Sequence, residues 1–136
     1  RLLMGLTRIK ISVLNPTEPS LEPFTAEALA DSGALHLCLP EHIALQLRLT
    51  ELEKREVTLA DGRKRLCPYV GPVGVNCLGR NCYTGALVLG DSILLGVIPM
   101  EDMDLIINPV TREVTVNPES PNIPSSLAKF SFGKFS

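Results

Sequence analysis

The chain is 136 residues long, the span of one domain. A hydrophobic share of 45% suffices for a core, and a net charge of −2 with no basic cluster beyond Arg63-Lys64-Arg65 argues against a phosphate-binding surface. No apolar run approaches the ~20 residues of a membrane helix, so neither nucleic acid nor a membrane is an expected partner.

Aromatics make up only 4% and tryptophan is absent, so the core must be built from Val, Leu and Ile, which suit strands and small barrels. Eleven prolines and ten glycines supply turns between short segments. The opening Arg1-Leu2-Leu3-Met4 is too short for a secretory signal. Met4 reads as the natural start with three residues added before it, and the cytoplasm is the expected compartment. Cys38, Cys67, Cys77 and Cys82 are too few for a disulfide framework and are expected as free thiols.

In chain order, Leu6 to Val13 alternates apolar and polar residues as a half-buried strand does, and Asn15-Pro16 breaks it. A second strand, Phe24 to Ala30, leads into Asp31-Ser32-Gly33-Ala34. Pro40-Glu41 opens a short helix to about Leu47, although Ile43, Leu45, Leu47 and Leu49 also fit a period of two. Arg55 to Ala60 alternates again. Ala60-Asp61-Gly62-Arg63 has the chemistry of a tight hairpin, and Arg65 to Val70 returns from it. Val73 to Leu78 and Cys82 to Leu89 form a second hairpin around Gly79-Arg80-Asn81. Ile93 to Gly96, a short helix at Pro99 to Met103, Leu105 to Ile107 and Glu113 to Val116 complete a domain spanning residues 5–117. A Pro- and Ser-rich tail, 118–136, follows. Many short strands with regularly spaced turns predict an all-β sandwich or barrel with one or two short helices.

Asp31-Ser32-Gly33 after an apolar strand is a weak signal alone, because most such tripeptides are plain turns. It is nevertheless a good carboxylate platform. Gly33 lets the backbone fold so that amide hydrogens point at the carboxylate, and Ser32 can hydrogen-bond across a neighbouring loop. Two further landmarks follow in order: the Ala60-Asp61-Gly62 hairpin, then Leu94-Leu95-Gly96 before a short helix. The set resembles the retropepsin-like (clan AA) aspartic peptidases, particularly the small single-domain bacterial and archaeal members. Met4-Gly5-Leu6-Thr7, Asn15-Pro16, Leu39-Pro40-Glu41 and Leu59-Ala60-Asp61-Gly62-Arg63 are similar to that subgroup too.

The resemblance implies a closed barrel of the retropepsin type, one lobe per chain, in a homodimer that hydrolyses polypeptides without metal or organic cofactor. Asp31 would be the catalytic aspartate, Gly33 its backbone support, and Ser32 the hydroxyl that links the two active-site loops. Ala34, Ala60, Asp61, Gly62 and Arg63 would meet substrate, the last four as a flap. Leu94, Leu95 and Gly96 would support the catalytic loop from behind. The chain supplies one candidate carboxylate where the chemistry needs two, and an isologous dimer would juxtapose two copies of Asp31. Three departures from the family pattern stand out: an Ala-Asp-Gly flap tip in place of a glycine-rich one, Val97-Ile98-Pro99 after Gly96 where relatives carry a polar residue, and Ser32 in place of Thr.

Other clusters have plainer readings. His36, Cys38 and His42 fit no metal-site spacing and read as a buried thiol with two surface histidines. Cys77 and Cys82 flank a turn and could face each other, with free thiols expected. Glu101, Asp102 and Asp104 read as a solvated acidic surface. Phe130, Phe132 and Phe135 are open between a docking element and a frayed end. The endopeptidase therefore has two rivals: a catalytically weak peptide-binding dimer of the same fold, and a thiol-dependent metal or redox module.

Overall fold

The computed structural model describes residues 6–128. Phe130, Phe132 and Phe135 lie outside them. The chain is mostly β, with strands β1 (Leu6–Leu14), β2 (Phe24–Asp31), β3 (Leu37–Leu39), β4 (Thr50–Thr58), β5 (Lys64–Cys77), β6 (Arg80–Val88), β7 (Leu94–Leu95), β8 (Leu105–Ile107) and β9 (Val114–Val116). Two six-residue helices, α1 (Glu41–Gln46) and α2 (Val97–Asp102), interrupt them. No helix among the described residues is long and apolar enough to cross a membrane.

Six strands form a closed barrel in the order β1-β2-β7-β3-β6-β5, because β5 pairs back onto β1 through Ser12↔Asn76 to Leu14↔Gly74. Closure leaves the barrel itself without open edges. Inward residues of alternating strands, among them Ile11, Val13, Ala28, Ala30, Val73, Val75 and Leu95, fill the interior and are buried. Strand β4 stands outside this ring, paired only with the first half of β5 from Thr50↔Gly71 to Thr58↔Lys64. β5 is thus a single 14-residue strand, not two. Its pairing with β6 shifts register between Val70 and Val73, at Gly71-Pro72, so its first half carries the β4–β5 hairpin and its second half closes the barrel.

Local chemistry explains several other differences from the sequence expectation. β3 lies in a stretch with no alternation to mark it, since Leu37, Cys38 and Leu39 are all buried. The helix reading of 41–46 holds: Ile43, Ala44 and Leu47 are buried on one face while Leu45 is 70% exposed, where a strand would have aligned Leu45 with its neighbours two away. The second hairpin turns at Leu78-Gly79, both with positive φ (53° and 78°), so Arg80 and Asn81 belong to β6.

That shift places Arg80 in the interior, 5% exposed. Its Nη1 donates to the carbonyls of Met103 (3.2 Å) and Asp104 (3.1 Å), and its Nη2 to that of Ser120. Asp104 is not part of a solvated acidic run. Its carboxylate accepts from Asn117 Nδ2 (3.1 Å), Ser120 Oγ and the Ser125 amide (2.9 Å), with Arg80 Nη1 at 3.9 Å. This clasp fastens the segment after β9 to the barrel. The hydrogen bond from Ser120, then those from Ser125 and Asn117, hold the Asp104 carboxyl below its ordinary range. A depressed native pKa stabilises the fold above the unfolded value of about 3.9, and that contribution disappears as pH falls through the native value. Asp104→Asn is therefore expected to lower the urea midpoint at pH 7, with the gap to wild type narrowing as pH falls below about 4. A gap that stays constant across that range would show that the carboxylate charge is not what holds the clasp.

Candidate active site

Asp31 is the last residue of β2, at the point where that strand leaves the barrel. Its Oδ1 accepts the Gly33 amide at 2.8 Å, and the Ala34 amide reaches the Asp31 carbonyl at 3.1 Å. The loop is a tight turn folded onto its own carboxylate. Ser32 is exposed and its hydroxyl has no hydrogen-bond partner among the described residues.

The turn is held from behind. β7 lies between β2 and β3, parallel to β2 with Leu29↔Leu94 and Ala30↔Leu95, and opposite Cys38 on β3. The amides of Val97 and Ile98, at the start of α2, donate to the carbonyls of Ala34 and Leu35, both at 2.9 Å. Gly96 makes this approach possible. A Cβ at that position would collide with the His36 carbonyl and lie 2.7 Å from that of Leu35. Leu95 is fully buried beneath the loop, and Leu94 reaches the surface above it.

Over this platform leans the β4–β5 hairpin. Between them is a cleft of about 550 Å³ lined by Asp31, Gly33, Ala34, Leu35 and His36 and by residues 55–60, the end of β4 and the start of the turn after it. Cys38, Leu87, Leu89 and Leu94 form its floor. Of the residues singled out from sequence, Asp31, Gly33, Ala34, Ala60 and Leu94 therefore line one cavity. Asp61, Gly62 and Arg63 do not. At the hairpin tip the Asp61 carboxylate instead accepts from the Arg63 amide (2.9 Å) and the Arg63 Nε (2.7 Å), and Gly62 adopts φ +86°.

Sequence reasoning read the alternation of Arg55 to Ala60 but did not assign its inner face to the site. Residues 55, 57 and 59 are half-buried and residues 54, 56, 58 and 60 exposed, a period-two pattern that was legible from Arg55-Glu56-Val57-Thr58-Leu59. It also placed His36 on the surface. The ring is half-buried, edge-on to Tyr69 with centroids 6.0 Å apart. Burial, and then the nearby Arg55 cation, push the His36 pKa down, so the ring is neutral at pH 7.

No family model matches the chain. No curated protein matches it either.

The four thiols are free and buried. Cys77 and Cys82 are not cross-strand partners, since Cys77 faces Arg80 and Cys82 faces Val75. Burial pushes Cys38 and Cys77 up to about 11 and Cys82 to about 12, far from the range of a reactive thiolate. No group of three or more His, Cys, Asp or Glu among the described residues is arranged to hold a metal ion. Iodoacetamide at pH 8 is expected to leave the native thiols largely unmodified and to label all four after unfolding in urea, read by intact mass. Rapid native labelling of a cysteine pair would favour a thiol-based activity instead.

Proposed function

We propose that this chain is one subunit of a homodimeric aspartic endopeptidase of the retropepsin type. One observation carries the reading: a single aspartate, held by its own turn in a loop that the start of α2 braces, lines a cleft beside a β-hairpin. A closed small barrel with one such loop supplies half of an aspartic dyad. The missing half is a second copy of Asp31, brought up across a twofold axis.

Two carboxylates about 3 Å apart cannot both ionise comfortably, so the pair shares one proton. The ionised partner takes a proton from a water held between them as that water attacks the scissile carbonyl. The protonated partner hydrogen-bonds to the carbonyl oxygen and then passes its proton towards the leaving amine. The exposed Ser32 hydroxyl is free to bond the partner loop. The peptide would lie extended between the platform and β4, with main-chain hydrogen bonds for affinity and alternate side chains in pockets.

The test is incubation of the protein with a peptide library between about pH 4 and pH 7, together with its oligomeric state by sedimentation. Cleavage by a dimer, absent from Asp31→Asn, is the expected result. Saturable peptide binding by both proteins without cleavage would support the peptide-binding dimer, and a monomer at every concentration would end the dyad reading.

A further inference from the structure

The cleft wall opposite the catalytic loop carries a cation that general peptide binding does not require. Arg55 lies on the inner face of β4, where its neighbours two residues on are Val57 and Leu59. Its guanidinium stacks on the Tyr69 ring, 3.7 Å from the centroid, and its Nε donates to Glu53 at 2.6 Å. Tyr69 is itself fixed, because its ring lies across Gly85, where any Cβ would strike it. A long side chain that would ordinarily sample many rotamers is thus held in one place by a stack and an ion pair. Only Nε is used. The two terminal nitrogens, which form the fork suited to a carboxylate, have no hydrogen-bond partner among the described residues.

The other charges around this end of the cleft do not cancel that fork. Glu56, the remaining carboxylate of this wall, lies 3.8 Å from Lys64 on β5. His36, facing Tyr69 from the catalytic loop, is uncharged at neutral pH and gains only positive charge in acid. Asp31 is on the opposite wall. The rest of this end is apolar, with Leu87 and Cys38 beneath, so a bound carboxylate would be partly shielded from water.

We infer that Arg55 is a specificity-determining residue that selects polypeptides carrying an acidic side chain in the subsite between β4 and the catalytic loop. This rests on the proposed peptidase reading, naming its substrate class. A glutamate or aspartate side chain would receive the Arg55 fork while the neighbouring backbone runs along the cleft towards Asp31.

The experiment uses matched synthetic peptides that differ only by Glu or Gln at each position flanking the cleaved bond. For the wild-type protein, one position is expected to favour Glu by about tenfold in kcat/KM. Arg55→Gln should reduce that ratio to near one, Arg55→Glu should invert it in favour of Gln, and Arg55→Lys should retain part of it. The same peptides are also titrated onto Asp31→Asn by fluorescence anisotropy, with and without Arg55→Gln. A Glu-over-Gln affinity ratio that depends on Arg55 there upholds the inference even if no peptide is cleaved, in which case only the peptidase reading fails. Ratios near one in wild type, ratios unchanged by Arg55→Gln, or no binding to any peptide would each overturn it.

Discussion

In the proposed homodimer, mixing wild-type subunits with Asp31→Asn subunits in equal amounts should leave only about a quarter of the dimers with both aspartates. Cleavage measured per wild-type chain should therefore fall to about half, although no wild-type chain has been removed or altered. A pure Asp31→Asn preparation should lose on the order of 10³-fold or more, because the amide can neither take a proton from water nor return one to the leaving amine. The substitution is nearly isosteric. Asn keeps a side-chain oxygen for the Gly33 amide now bound at 2.8 Å, so the turn and the fold should survive. The quadratic dependence on wild-type fraction is the decisive feature. An active site complete within one chain would give activity proportional to the wild-type fraction, and dilution by the variant would cost nothing per wild-type chain. Subunit exchange has to be allowed to reach equilibrium, followed by mass spectrometry of the mixed dimer, before the rates are compared.

The parts of this molecule that sequence made legible are those where one face is wet. β1 and β2 alternate because one side of each meets the barrel interior and the other meets solvent, and their limits came within a residue of the observed ones. The Asp61-Gly62 turn was legible because its glycine takes a conformation few other residues accept. Legibility failed where both faces are covered, as in Leu37-Cys38-Leu39, or where an unusual residue accepts a rare backbone state, as Leu78 does with φ 53°. The break expected at Gly71-Pro72 is real as a register shift, yet the strand runs through it. The cleft divides in the same way. Asp31, Gly33, Ala34 and Ala60 were named through short motifs, whereas Arg55 joins them only because β5 carries β4 out of the barrel and over the loop. A long-range arrangement of that kind leaves no mark in local spacing. Arg80 shows the same limit from inside: a one-residue displacement of a turn moved a charged side chain from solvent into the core, together with the carboxylate network that it supports.

The support behind the Asp31 turn can be separated from general stability by two glycine variants. Gly96→Ala puts a methyl group against the carbonyls of His36 and Leu35, which are backbone and cannot rotate away. Overpacking of this kind costs about 1–3 kcal/mol in a chemical-denaturation midpoint. Its second consequence concerns chemistry. Relief of the clash requires α2 to move from the loop, lengthening the two 2.9 Å bonds from Val97 and Ile98 that hold Ala34 and Leu35, and with them the peptide planes that fix Asp31. A shift of that order at a dyad is expected to lower kcat by about 10²-fold in molecules that remain folded. Gly79→Ala is the matched control. Nothing lies within 4 Å of its added Cβ, but φ is +78°, so the penalty of about 1–2 kcal/mol is conformational and local to a distant turn. Similar losses of stability with cleavage impaired only in Gly96→Ala would assign the close approach at Gly96 a positioning role. Equal activity per folded molecule in both variants would mean that the Asp31 turn holds its geometry without α2.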